Sequence, residues 1–145
     1  DGEDQGAKIR QEETGGKASV VAKFPQVRQN LLARQRAFAR APGLIADGRD
    51  MGTEIFPKAP LKIFLTASAK VRAERRYKQL LERGLCVKMD QILSEVEARD
   101  ARDRSRKASP LVPAEDAVVI DTSELSIEEV FQTVWKWVES RELIS

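Results

Sequence analysis

The residues best suited to chemistry lie in the stretch 99–106, which reads Arg-Asp-Ala-Arg-Asp-Arg-Ser-Arg. Its inward-facing positions, Arg99, Asp103 and Arg106, continue the three- and four-residue spacing of an apolar helix face. That apolar face consists of Met89, Ile92, Leu93 and Val96. Charges on a buried face are costly unless they are paired or face a ligand, and two guanidinium groups around one carboxylate leave donors for an anion. The pattern predicts a phosphate site.

Two other interpretations of this stretch remain open from the residues alone. It could be a solvated helix with i, i+4 salt bridges, such as Asp100 to Arg104, or an arm that binds nucleic acid. The inward register argues against the solvated helix. The interleaved Asp100 and Asp103 would repel a phosphate backbone, which argues against nucleic acid. A small phosphorylated ligand is therefore the preferred hypothesis.

A second basic group lies on the helix predicted between Ser68 and Gly84. Its cations are Arg72, Arg75, Arg76, Lys78 and Arg83. Taken alone, such a row is usually a solvated helix face. Because only a short loop separates it from the helix that carries 99–106, we expect the two helices to form the walls of a polyanion pocket.

A third group of polar residues directly follows the apolar run 44–47. It contains Asp47, Gly48, Arg49, Asp50 and Gly52. In open α/β sheets, ligands bind at the carboxyl ends of the strands, so these residues could hold a phosphate and a sugar or base edge. A surface turn with a local ion pair is the alternative.

Composition limits the remaining chemistry. The chain has 145 residues, 41% of them hydrophobic, a formal net charge of +2, one cysteine and no histidine. These values predict a single domain and exclude Ser-His-Asp triads, Cys-His pairs and histidine zinc sites. Catalysis would have to use Arg, Lys, Asp, Glu or a bound metal. The sequence has no apolar run long enough to span a membrane and no signal peptide pattern, so we expect a soluble, cytoplasmic protein without membrane or nucleic-acid partners.

The order of elements predicts an α/β fold with a parallel sheet of about three strands flanked by helices. The strands are expected at 44–47, 61–67 and 117–121, the second buried on both faces. Helices are expected from Pro25 to Pro42, between Ser68 and Gly84, from Asp90 to Pro110, and after Ser126. The last helix opens with a capping box formed by Ser126 and Glu129. Its predicted buried residues are Ile127, Val130, Phe131, Val134 and Val138.

Several separate motifs, in the same order, resemble the bacterial cytidylate kinases. They are Gly43-Leu-Ile-Ala-Asp-Gly-Arg-Asp-Met-Gly-Thr53, Phe56-Pro57, Leu61-Lys-Ile-Phe-Leu-Thr-Ala-Ser68, Arg75-Arg76, Glu97-Ala-Arg-Asp-Ala-Arg-Asp-Arg-Ser-Arg106 and Pro110-Leu-Val-Pro113. The resemblance runs from about Asp4 to the C-terminus. It implies a P-loop nucleoside monophosphate kinase that moves the γ-phosphoryl group of ATP to CMP or dCMP with Mg²⁺.

The resemblance also implies roles for individual residues. It assigns Ser19 and Asp50 to the cytosine, with Arg49 beside them and Arg28 on the phosphate side of CMP. It assigns Arg99 and Arg106 to the CMP phosphate and Asp103 to the sugar hydroxyls. Residues expected to face ATP are Arg72, Arg76 and Arg102, and the candidate catalytic residues are Arg76, Arg102 and Arg106. No residue is predicted as a metal ligand, and the turn after Asp121 resembles the wall beside adenine.

The sequence departs from the family in one respect, because it contains no Gly-rich phosphate-binding loop. Gly43 and Gly48 have the spacing of G-x-x-x-x-G-K-[ST], but Arg49 and Asp50 follow them. The chain is therefore expected to be the C-terminal two thirds of such an enzyme and inactive by itself. We expect 1–27 to be a remnant of the monophosphate-binding insertion and 28–145 to be the core kinase region, with a lid at about 72–106.

Two alternatives and one expectation about assembly follow. A non-catalytic module that binds a phosphate or a nucleotide would carry the same basic helices, and a kinase that prefers UMP would share most motifs. A parent enzyme is expected to be a monomer. A sheet that lacks its phosphate-loop strand would leave apolar surface open, so the chain itself is a candidate for self-association.

Overall fold

The structure is a computed structural model that describes residues 12–105, 107 and 109–143. Five α-helices, a π-helical turn and two strands follow one another along the chain. They are α1 (Glu12–Val21), α2 (Pro25–Arg36), the π-helical turn Met51–Ile55, β1 (Ile63–Thr66), α3 (Ala69–Glu82), α4 (Met89–Ser105), β2 (Val118–Asp121) and α5 (Ile127–Ser140). The α/β class is thus confirmed.

Strands β1 and β2 form a parallel pair in which Ile63 lies opposite Val118 and Thr66 opposite Asp121. The backbone ladder extends beyond both ends, since Val118 N donates to Lys62 O at 2.9 Å and Thr122 N donates to Thr66 O at 2.7 Å. The strands predicted at 61–67 and 117–121 therefore exist in shortened form.

The strand predicted at 44–47 is wrong for this structure, because the segment is irregular and Ile45 is fully exposed at 100%. A strand forms only where a neighbouring backbone completes its ladder, and the described part of the chain has a two-stranded sheet. The two-faced burial predicted for 61–67 is also wrong. Leu65 on β1 and Val119 on β2 are 53% and 56% exposed, so one face of the pair is open.

Helices α3 and α4 form the hairpin that positions the site. Ser68 caps α3, as predicted, by accepting from Val71 N at 3.2 Å. Gly84 follows the helix end with φ +74°, a backbone conformation that favours glycine. The two helices pack along their length and contain the buried Ala73 and Ile92.

The capping box of α5 is confirmed, because Ser126 and Glu129 exchange side-chain and backbone hydrogen bonds. The predicted burial of its apolar face is wrong, since Ile127 is 91% and Phe131 53% exposed. The helix predicted from Pro25 to Pro42 ends earlier, at Arg36, and Phe38 beyond its end is 63% exposed. Amphipathic periodicity reports which face is apolar, but burial needs a covering element.

Candidate functional site

The buried carboxylate of Asp103 is the centre of a polar cluster that also contains Ser19 and Arg49. It lies on the inner side of α4, where it is 1% exposed. Its Oδ1 accepts from Ser19 Oγ on α1 at 2.9 Å, and its Oδ2 accepts from Arg49 Nε in the loop after 44–47. One carboxylate thus joins three segments that are distant in sequence. The inward-charge register predicted for 99–106 is confirmed at this position.

Arg28 and Asp50 form a second pair beside the first. The Nη2 of Arg28, on α2, donates to Oδ2 of Asp50, whose residue is 8% exposed. Because Asp50 directly follows Arg49, the same short loop reaches α4 through one side chain and α2 through the next. Charged hydrogen bonds that are shielded from water are stronger than exposed ones, so this loop is well anchored.

The three residues around the Asp103 carboxylate and the Arg28–Asp50 pair together make five of the sequence-predicted site residues. They are Ser19, Arg28, Arg49, Asp50 and Asp103. The roles that the sequence resemblance implies for them stay predictions. Their arrangement brings guanidinium donors and carboxylate acceptors into one cluster, which is suited to a ligand with both anionic and hydrogen-bond-donor groups.

A cavity of about 390 Å³ opens between α3 and α4. Its lining combines arginines with apolar residues. Its arginines are Arg49, Arg72, Arg76, Arg83 and Arg99, and its apolar residues are Leu80, Leu85, Val87, Ile92 and Val96. Only Glu95 and Asp100 add negative charge to the lining, so the cavity has an excess of positive charge that favours an anion.

Arg72 is held by protein groups on both sides. Its Nη1 and Nη2 donate to the two carboxylate oxygens of Asp100 at 2.9 and 2.5 Å, and its Nε donates to Ala67 O at 3.1 Å. The geometry is the bidentate fork that arginine forms with a carboxylate. Arg104, the i, i+4 neighbour that the solvated-helix alternative pairs with Asp100, also forms an ion pair with it at 3.8 Å, but α3 supplies the closer partner.

The remaining predicted residues have different positions. Arg76 and Arg99 line the cavity, and the position that a Cβ on Gly15 would take is 3.3 Å from Arg99 Nη1, so α1 closely approaches that guanidinium. Arg102 is exposed on α4 and is not among the cavity residues. Arg106 lies outside the described residues.

Sequence reasoning missed the contacts that fix the α3–α4 hairpin to the sheet. Besides Arg72, Arg75 donates to Thr122 Oγ1 at 3.0 Å, to Thr122 O at 2.5 Å and to Leu125 O at 3.3 Å. Thr122 is 5% exposed. The partners lie 47 and 50 residues from Arg75, so no local spacing signals them.

Two kinds of feature are absent from the described residues. Within 12–105, 107 and 109–143, no group of three or more acidic or cysteine side chains is arranged to hold a metal ion. In the same part of the chain, no helix combines the length and apolar content needed to cross a bilayer.

Comparisons with known proteins give a consistent result. A family model described as "Cytidylate kinase" matches residues 1–140. The cytidylate kinase of Shewanella piezotolerans is 62% identical over 130 residues, which cover 90% of this chain and 56% of that protein. The cytidylate kinase of Vibrio vulnificus is 56% identical over 141 residues, covering 97% and 62% of the two sequences. The chain thus spans about 56–62% of the length of these curated relatives.

Proposed function

Because the chain belongs to the cytidylate kinase family, we propose that it carries the pyrimidine-nucleotide site of a kinase that transfers the γ-phosphoryl group of ATP to CMP or dCMP. The observation that carries this proposal is the buried Asp103 carboxylate, which gathers Ser19 and Arg49 around the inner face of α4. The adjacent Arg28–Asp50 pair extends the same surface.

The individual roles follow from the chemistry of each side chain. The Ser19 hydroxyl and the Asp50 carboxylate are suited to the amino and ring-nitrogen edge of cytosine, which both donates and accepts hydrogen bonds. Arg99, from the cavity wall, and Arg28 are suited to the monophosphate. Guanidinium groups bind phosphate oxygens in a fixed fork without losing their charge near neutral pH.

Asp103 is the acceptor proposed for the sugar hydroxyls. In the described arrangement each of its oxygens already accepts one hydrogen bond, and the residue is 1% exposed. Because the carboxylate is enclosed, a sugar hydroxyl is expected to reach it after Ser19 or Arg49 moves. Nucleotide binding is therefore expected to shift α1 or the loop at 48–50.

Phosphoryl transfer needs positioning and charge neutralisation more than covalent chemistry from the protein. We propose that Arg76, in the cavity wall, and Arg102, on the adjacent α4, neutralise the phosphates of ATP. Mg²⁺ would accompany ATP, since it is usually held by phosphate oxygens and water with few protein ligands. Among the described residues, no three acidic or cysteine side chains come together as a metal site.

The proposal has two parts, the binding of CMP and the absence of catalysis by this chain. Titration calorimetry with CMP, dCMP and UMP tests the first. CMP should bind more tightly than UMP, and Asp103→Asn should weaken CMP by about tenfold or more, the effect of losing a charged hydrogen bond. Glu115→Gln, an exposed acid in the loop before β2, is the control and should bind CMP like the unchanged chain. Equal affinities for CMP in both variants would contradict the site.

The second part concerns catalysis by the 145-residue chain. Because its sequence contains no G-x-x-x-x-G-K-[ST] loop, we propose that it binds CMP without phosphorylating it. Incubation with ATP, Mg²⁺ and CMP, followed by chromatography, should give no CDP. Formation of CDP at a rate proportional to the chain's concentration would contradict this part and leave the binding site intact.

A further inference from the structure

Asp100 connects α4 to α3, the two helices that line the cavity. It lies on α4, where its two oxygens accept from the Nη atoms of Arg72 on α3 at 2.9 and 2.5 Å. The same guanidinium donates to Ala67 O, just after β1, at 3.1 Å. The Asp100 side chain is only 14% exposed, so water competes weakly for it. The Arg72 guanidinium thus links α3 both to α4 and to the segment just after β1.

Asp100 lies between two residues of the candidate site on α4. It directly follows Arg99, which lines the cavity, and it precedes the buried Asp103 by three residues, or about one helical turn. A rotation or slide of α4 at Asp100 would therefore move both side chains together. The Arg72 fork resists such a movement because two parallel hydrogen bonds fix both the distance and the angle of the pair.

We propose that Asp100 is a positioning residue for the nucleotide site: by holding Arg72, it fixes the turn of α4 that presents Arg99 and Asp103. Arg72 then acts through Asp100, and it is not itself a phosphate ligand. This inference rests on the proposed CMP site. It goes beyond that proposal by giving the site a supporting pair which contacts no part of the substrate.

A double-mutant cycle tests the pair, with CMP affinity measured by titration calorimetry on the complete chain. Asp100→Asn and Arg72→Met should each weaken CMP binding by about fivefold or more, and the double variant should be no weaker than either single one, since contacting residues couple strongly. Asp100→Glu, which keeps a carboxylate, should retain most of the affinity. Arg104→Ala, which removes the partner at 3.8 Å, is the matched control and should change the affinity less than twofold.

A different pattern would overturn the proposal. If Arg72 is itself a phosphate ligand, Arg72→Met should weaken the binding of inorganic pyrophosphate, whereas Asp100→Asn should leave it equal or tighter because the guanidinium is released. Strictly additive losses in the cycle would also contradict the proposed coupling. Urea midpoints measured for every variant separate loss of positioning from loss of folded protein.

Failure of the proposed CMP site is distinguishable from failure of this inference. If the unchanged chain does not bind CMP, the site is wrong, and amide hydrogen exchange still tests the clamp. Asp100→Asn should then speed exchange at residues 99–105 by about tenfold or more relative to α5, because the local opening free energy falls. Exchange that is unchanged in α4 would overturn the positioning role.

Discussion

Arg49 and Asp103, 54 residues apart in sequence, form an ion pair in which the carboxylate is 1% exposed and the guanidinium side chain 39% exposed. One partner is thus enclosed by protein while the other still reaches solvent. A ligand from solvent can therefore reach the guanidinium, while the carboxylate is enclosed.

The first prediction concerns this buried carboxylate. Asp103→Asn keeps the shape of the side chain but places an amide against donors from Ser19 and Arg49. We expect the free energy of unfolding to fall by about 1–3 kcal/mol, the usual effect of leaving a buried polar group poorly matched. Urea unfolding followed by circular dichroism measures it. The exposed Asp47→Asn should change stability by less than about 0.5 kcal/mol, and an equal loss in both variants would count against the enclosed ion pair.

The second prediction compares two glycines. Gly16 lies inside α1, where a Cβ would meet nothing within 4 Å, so Gly16→Ala should stabilise the chain by about 0.5–1 kcal/mol through helix propensity. Gly84 has φ +74°, so Gly84→Ala should destabilise it by about 1 kcal/mol although the space is open. Urea midpoints check both, and effects of the same sign would contradict the described backbone.

The third prediction concerns Arg75, which fastens α3 to the loop between β2 and α5. Arg75→Ala should cost about 1 kcal/mol of stability, because the buried Thr122 loses two of its hydrogen bonds. It should also speed amide exchange at 123–127. Lys78→Ala, an exposed residue of the same helix, is the control and should change neither quantity. Faster exchange in α3 with no change at 123–127 would contradict the attachment of that loop by Arg75.

The fourth prediction concerns acid. The hydrogen bond from Lys62 lowers the pKa of Asp116, and hydrogen bonds from the Ser126 backbone and hydroxyl lower the pKa of Glu129. Both carboxyls therefore stay ionised in the folded chain at pH values where the unfolded chain binds protons. Their stabilisation is present above the ordinary carboxyl pKa of about 4 and is lost as the pH falls through the lowered folded values.

Urea midpoints at pH 7, about 4.5 and about 3 should therefore decline toward acid. Glu129→Gln removes one of the contributing carboxyls, so its midpoint should decline less steeply over the same range. Gln132→Glu, which adds an exposed carboxyl one turn further along α5, is a control for a general charge effect. A midpoint that rises toward acid in the unchanged chain would contradict the direction of both pKa shifts.

The features that could be predicted from sequence are those whose causes are local. Ser68, Gly84 and the Ser126–Glu129 box each act within one turn of a helix end, and each has the predicted role. The inward register of Asp103 is also a local property of helix spacing, and the structure confirms it.

The features that failed depend on distant partners. The run 44–47 has the residues of a strand, but in the described chain it lacks a neighbour whose backbone could complete a ladder. The sequence spacing offers Asp100 a partner one turn away, Arg104, which lies 3.8 Å from it, but Arg72 of α3, 28 residues distant, supplies the bidentate fork. Spacing along a sequence cannot report which of two cations has the better geometry, and the prediction for Arg106 lies outside the described residues.

The open face of α5 has a spectroscopic consequence. Both tryptophans of the chain, Trp135 and Trp137, lie on this helix and are 38% and 37% exposed, and the Trp135 ring stacks 5.8 Å from that of Phe131. Intrinsic tryptophan emission therefore reports on α5 alone, with the red-shifted maximum and ready acrylamide quenching of solvent-accessible indoles. A nucleotide bound beside Asp103 would leave that emission unchanged, whereas a molecule that covers α5 would shift it to the blue.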